Sequence, residues 1–104
     1  MALVKKNLKT GNACNVTFSL PSQAVNGAKE VCIAGDFNKW STKDPAYKLK
    51  KKADGSFYIT LKLEQGREYQ FRYFVDKKHW ENDWMADKYV PAPTSHEENS
   101  VVVT

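Results

Sequence analysis

Tyr69-Gln70-Phe71-Arg72-Tyr73-Phe74-Val75-Asp76 alternates residue by residue, with Tyr69, Phe71, Tyr73 and Val75 on one side and Gln70, Arg72 and Phe74 on the other. A period of two over an aromatic and β-branched run is the pattern of a strand with one face in a core. The run before it follows the same rule. In residues 56–63, Phe57, Ile59, Leu61 and Leu63 share one face while Tyr58, Thr60 and Lys62 share the other. Glu64-Gln65-Gly66-Arg67 between them has the length and the glycine of a hairpin turn. Parity makes Arg72 a surface residue, because a slip of one residue would exchange it with the core set.

Toward the N-terminus, residues 15–20 form a strand through Val16, Phe18 and Leu20, stopped by Pro21-Ser22 and Asn26-Gly27. Residues 30–34 form the next, ending at Gly35-Asp36, and residues 47–51 give a weaker one that runs into Asp54-Gly55. The irregular stretch after Trp84 carries Pro91 and Pro93 and one short edge strand at residues 88–90. Ser100-Val101-Val102-Val103-Thr104 closes the chain as a β-branched strand. No segment carries a ten-residue helical pattern. The architecture expected is all-β: an immunoglobulin-like β-sandwich of about seven to eight short antiparallel strands over residues 13–104. Residues 1–12 read as a flexible basic N-terminal arm.

The chain of 104 residues suits one domain with a modest core, and 41% hydrophobic with 27% charged residues is an ordinary globular composition. No apolar run reaches the ~20 residues needed to span a bilayer. The start, Met1-Ala2-Leu3-Val4-Lys5-Lys6, has no apolar stretch of signal-peptide length, so the expected compartment is the cytoplasm, with Cys14 and Cys32 as reduced thiols. Asn15-Val16-Thr17 has the form of a glycosylation acceptor but falls within a strand. The net charge of +4 is a mild excess, densest at Lys48-Leu49-Lys50-Lys51-Lys52, which reads as a solvated sheet edge.

Function is written in the tryptophans. Gly35-Asp36-Phe37-Asn38-Lys39-Trp40 and Asp76-Lys77-Lys78-His79-Trp80 each follow a strand and present an indole among polar neighbours. A flat aromatic ring at a loop edge packs against the C–H face of a sugar, while Arg or Asn nearby can bond its hydroxyls. Phe37 reads as a plug at the end of the sandwich. Trp84 is either a second such plug or an added stacking surface. Arg72 has a plainer role open to it, a cross-strand ion pair with Glu64 or Glu68, as does Asn99, which can fix a loop through its own backbone.

The strings Gly35-Asp36-Phe37-Asn38-Lys39-Trp40, Asp54-Gly55-Ser56-Phe57, Tyr69 through Asp76 with Trp80, and Asn99 ahead of valines resemble a family 48 carbohydrate-binding module. That family includes the glycogen-binding domain of the AMP-activated protein kinase β subunit and the N-terminal domains of isoamylases and glycogen branching enzymes. The resemblance runs from about residue 13 to 104 and implies an early-set immunoglobulin-like fold. It also implies that Trp40 and Trp80 stack on glucose units, that Arg72 stands where a lysine contacts hydroxyls, and that Asn99 bonds them. Trp84 joins the carbohydrate-binding set as a third indole. Three positions depart from the family pattern. Asp76-Lys77-Lys78-His79 lacks the glycine of an Asp-Gly turn, Asp83-Trp84 replaces Asp-Pro, and Pro93-Thr94-Ser95-His96 lacks the leucine of a sugar-threading loop.

The expected ligand is therefore an α-1,4-linked glucan, glycogen or a starch-like polymer, or its maltooligosaccharides. A second reading keeps the fold and gives the surface to a protein partner, an α-glucan enzyme or a kinase-like protein. A third, single-stranded nucleic acid, ranks last because the lysines cluster away from the tryptophans. Catalysis is not expected: Asp76, Glu81, Asp83 and Asp87 share one polar stretch rather than facing across a cleft, and His79 and His96 stand apart. No metal spacing, phosphate loop or cofactor motif is present.

Overall fold

The computed structural model describes residues 3–8, 11–25, 27–93 and 97–104. Among the described residues, nine strands run in the order β1 (Val4–Asn7), β2 (Ala13–Leu20), β3 (Val31–Gly35), β4 (Lys50–Lys51), β5 (Phe57–Glu64), β6 (Glu68–Val75), β7 (His79–Glu81), β8 (Lys88–Pro91) and β9 (Glu98–Val103). They form two antiparallel sheets, β1-β2-β5-β4 and β3-β6-β9-β8, with β7 also paired to β6. The two sheets make the β-sandwich expected from alternation.

The core lies between the inner faces. Cys14, Val16, Phe18 and Leu20 of β2 alternate with half-buried neighbours, and Phe71, Tyr73 and Val75 of β6 meet them from the other sheet. Phe18 stands edge-on to Phe71 with ring centroids 4.9 Å apart. Phe37 packs on this cluster and stacks on Tyr47 at 5.9 Å, closing one end as expected. Cys14 and Cys32 are free thiols in different sheets.

Four local differences have physical causes. Residues 4–7, expected within a flexible arm, pair with β2 because that strand's outer edge offers unpaired backbone groups. Leu3 packs on the core, and Lys5 Nζ lies 2.7 Å from Asp87. The weak strand at 47–51 shrinks to β4, because Asp44 caps a 3-10 turn over Pro45–Tyr47 by accepting from Ala46 N at 3.0 Å. Ser22–Val25 forms one helical turn, α1, after Pro21. Finally, β7 arises where only a polar loop was expected, because the chain folds straight back onto β6.

One buried carboxylate holds the second sheet to the crossing segment after β7. Asp83, only 1% exposed, accepts from Tyr73 Oη at 2.6 Å and Met85 N at 2.8 Å, while its own N donates to Ser100 Oγ at 2.9 Å. Burial raises the Asp83 carboxyl above its ordinary value, against the pull of the Tyr73 hydrogen bond, and burial also pushes Tyr73 well up. Each carboxylate oxygen has a donor, Tyr73 Oη on one and Met85 N on the other, which offsets part of the desolvation.

Gly35 ends β3 against β6. A Cβ there would collide with Gln70 O and fall 2.8 Å from Phe71 Cβ, so only glycine lets the two backbones approach. Gly35→Ala is expected to lose about 1–3 kcal/mol, the usual cost of forcing a packed backbone apart. Urea unfolding monitored by tryptophan fluorescence measures it, and an unchanged midpoint contradicts this packing.

Candidate functional site

The outer face of the β3-β6-β9-β8 sheet, with β7, carries the candidate residues. Gln70, Arg72 and Phe74 of β6 point there, as their parity requires. The turn after β3 brings Trp40 to the same face. Asn38 builds that turn: its Oδ1 accepts from Gly35 N at 2.9 Å, and its Nδ2 donates to Ile33 O at 3.1 Å and Ser41 O at 3.3 Å. With Asn38 as a brace, Lys39 and Trp40 adopt left-handed backbone, φ 55° and 59°. Trp40 Nε1 then donates to Asp36 Oδ1 at 3.1 Å, and Asp36 Oδ2 accepts from Gln70 N at 2.8 Å. One carboxylate thus ties the indole to the central strand.

Trp80 reaches the face by a different route from the one the sequence suggested. It lies in the middle of β7, opposite Phe74, rather than at a strand exit. The ring of Phe74 supports it at 4.6 Å, and Trp40 stands beside it at 6.4 Å with the ring planes inclined by 63°. The two indoles are therefore neighbours forming an angled step, not parallel plates. Trp80 is 40% exposed, whereas Trp40 is half-buried, a lesser exposure than its polar neighbours in sequence suggested.

Arg72 and Asn99 also meet on this face. Arg72 Nε donates to Asn99 Oδ1 at 2.6 Å, and Asn99 Nδ2 donates to Gln70 Oε1 at 3.0 Å. Asn99 is only 4% exposed, so it aims Arg72 rather than reaching outward. The ion partner of Arg72 is Glu97, with Nη1 to Oε2 at 2.6 Å, and not Glu64 or Glu68. Those two acids pair with Arg67 and Lys88 instead, each at 2.8 Å. Trp84 is 52% exposed, but the ring pairs of tryptophan among the described residues are Trp40–Trp80 and Phe74–Trp80. Residues 94–96, in the loop without its leucine, lie outside the described residues.

Asp36, Phe74 and Glu97 were not singled out from sequence. For Phe74 the signal was present: parity placed a large aromatic ring on the solvent side of β6, where only a covering group or a ligand stabilises it. A groove of about 480 Å³ runs beside the step, shares Phe74 with it, and is edged by Cys32, Thr42, Lys48 and Lys77.

The arrangement offers angled aromatic faces and a guanidinium aimed by a buried amide, a set suited to a neutral polyol with apolar C–H faces. The chain matches the family model described as the glycogen recognition site of AMP-activated protein kinase, over residues 22–103. It belongs to that glycogen-recognition family. Among its relatives, the human 5'-AMP-activated protein kinase subunit beta-2 is 41% identical over 69 residues, 66% of this chain and 22% of the relative. Protein PTST homolog 2, chloroplastic, of Arabidopsis thaliana is 35% identical over 81 residues, covering 76% and 14%. An alpha-amylase of Niallia circulans is 42% identical over 69 residues, covering 62% and 5%. The chain thus spans less than a quarter of each of these relatives.

The turn that places Trp80 departs from Asp-Gly yet keeps its conformation. Asp76 and Lys77 have φ 51° and 56°, and Lys78 N donates to Val75 O at 2.9 Å. The Asp76 carboxylate steadies it by accepting from Lys29 N at 2.8 Å and Glu30 N at 2.9 Å. Lys77→Gly relieves the left-handed strain and is expected to raise stability by about 1 kcal/mol, or ~4 °C in Tm. An unchanged or lower Tm contradicts the strain.

Backbone donation from Glu30, and then from Lys29, holds the Asp76 carboxyl below its ordinary value. A lowered value in the folded state means that the contribution of Asp76 is full above the ordinary carboxylate pKa and fades as pH falls through the lowered one. The stability gap between the parent and Asp76→Asn is therefore expected to close below about pH 4. Denaturant unfolding across acid pH measures it, and a gap independent of pH contradicts the assignment.

Proposed function

We propose that this module binds an α-1,4-linked glucan by laying it across the Trp40–Trp80 step, with Arg72 donating to its hydroxyls. The observation that carries the reading is the meeting on one sheet face of two indoles, Trp40 from the turn after β3 and Trp80 from β7, with ring centroids 6.4 Å apart. A chain of glucose units linked α-1,4 curves, so successive rings present C–H faces at changing angles, and an inclined pair of indoles follows that curve. Membership of a glycogen-recognition family supports the ligand class. Relatives named as a kinase subunit and an alpha-amylase support a role in which such a module holds polymer for a separate activity. The role assigned to this chain is binding, not catalysis.

Among the described residues, no helix is long and apolar enough to cross a membrane. A cytoplasmic location, with Cys14 and Cys32 as reduced thiols, is part of this reading. An open aromatic face buries little of its ligand, so the expected affinity for maltoheptaose is modest, on the order of micromolar to millimolar.

The second reading, docking of a protein partner such as an α-glucan enzyme or a kinase-like protein, is favoured by one observation. Trp84 and Met85 are adjacent and 52% and 55% exposed, a small apolar patch outside the ring pairs of the step. The two readings are separable by calorimetric titration with maltoheptaose. Trp40→Ala and Trp80→Ala are each expected to weaken binding about tenfold or more, as loss of a central aromatic anchor does. Trp84→Ala is expected to leave it within about twofold. Retained affinity in both step variants overturns the site, and a parent that does not bind glucan leaves the protein-docking reading.

A further inference from the structure

The guanidinium of Arg72 already has two partners, and they differ in kind. Asn99 is 4% exposed and is itself held by Gln70, so it is part of the sheet's fixed surface. Glu97 lies on the solvent side: its side chain is 68% exposed, against 12% for Arg72. Its backbone is anchored, since Ala92 N donates to Glu97 O at 2.9 Å and the next residue, Glu98, pairs with Pro91 in the β8–β9 ladder. The carboxylate is therefore presented to Arg72 by the fold, on the side from which a ligand must come.

We propose that Glu97 sets the affinity of this face for glucan by competing with sugar hydroxyls for Arg72. The inference rests on the glucan reading above and adds a residue to it. A carboxylate accepts a stronger hydrogen bond from a guanidinium than a neutral hydroxyl does, because both partners are charged. A sugar hydroxyl that takes the Nη1 hydrogen now given to Glu97 displaces that bond, and the sugar's gain is reduced by what the ion pair was worth. For a pair whose carboxylate lies largely in solvent this amounts to about two- to fivefold in affinity. Glucan is neutral and brings no charge term of its own. Salt therefore acts on the competitor: screening the Arg72–Glu97 pair strengthens glucan binding, the reverse of the behaviour of a ligand held by charge.

The test is titration of the whole chain with maltoheptaose, for the parent, Glu97→Gln and Glu97→Ala, at low and high sodium chloride. The amide of Gln keeps a weaker acceptor, so the expected order of affinity is Ala above Gln above parent, with Ala about two- to fivefold above the parent. The parent is expected to tighten with salt and the Ala variant to stay flat. Adding Trp40→Ala to Glu97→Ala is expected to remove the gain, which ties it to the same face. Variants that bind no better than the parent, with Trp40 and Trp80 still required, overturn the competition and leave the glucan reading standing. Binding by neither parent nor variants overturns both.

Discussion

Strand β6 is the constraint on which the site depends. It pairs with β3 along one edge and with β9 and β7 along the other, so every neighbour takes its register from it. Its inner residues Phe71, Tyr73 and Val75 are fixed by the core, and alternation then leaves Gln70, Arg72 and Phe74 no choice of face. The close approach of Gly35 and the carboxylate of Asp36, which bonds Gln70 N and Trp40 Nε1, bring the first indole to this strand. Phase and partner are thus set by burial on one side and read out as chemistry on the other.

The indoles are held by contacts of different strength. Trp80 rests on Phe74 and Trp40, an arrangement whose energy is largely the removal of ring surface from water. Trp40 is half-buried and hydrogen-bonded, so it has less freedom to turn toward a ligand. A site of this kind is largely formed before its ligand arrives, which lowers the entropy lost on binding. Arg72 is likewise pre-aimed by Asn99, at the cost of a donor already in use.

Much of this was legible in the chain because alternation is a local signal with a global consequence. The burial of Phe71 and Tyr73, the outward face of Arg72, and the end-plug role of Phe37 all follow from period and turn residues. Elements whose cause is tertiary were not legible. The pairing of β1 depends on an open edge of β2, and β7 depends on a reversal through Asp76 and Lys77, where left-handed backbone arises without glycine. Trp40 and Trp80 were nameable as candidates from their setting in the sequence, and Arg72 and Asn99 from the family resemblance. The burial of Asn99 and the choice of Glu97 over Glu64 or Glu68 were not, because both are set by cross-strand register between β6 and β9.

Trp40 and Trp80 are proposed to form one sugar-bearing step. The most direct measurement is a titration with maltoheptaose followed by the indole N–H resonances of the three tryptophans. The Trp40 and Trp80 signals are expected to move together along one binding curve, with Trp84 nearly still. Movement of Trp84 alone, or of Trp40 and Trp80 along different curves, contradicts it.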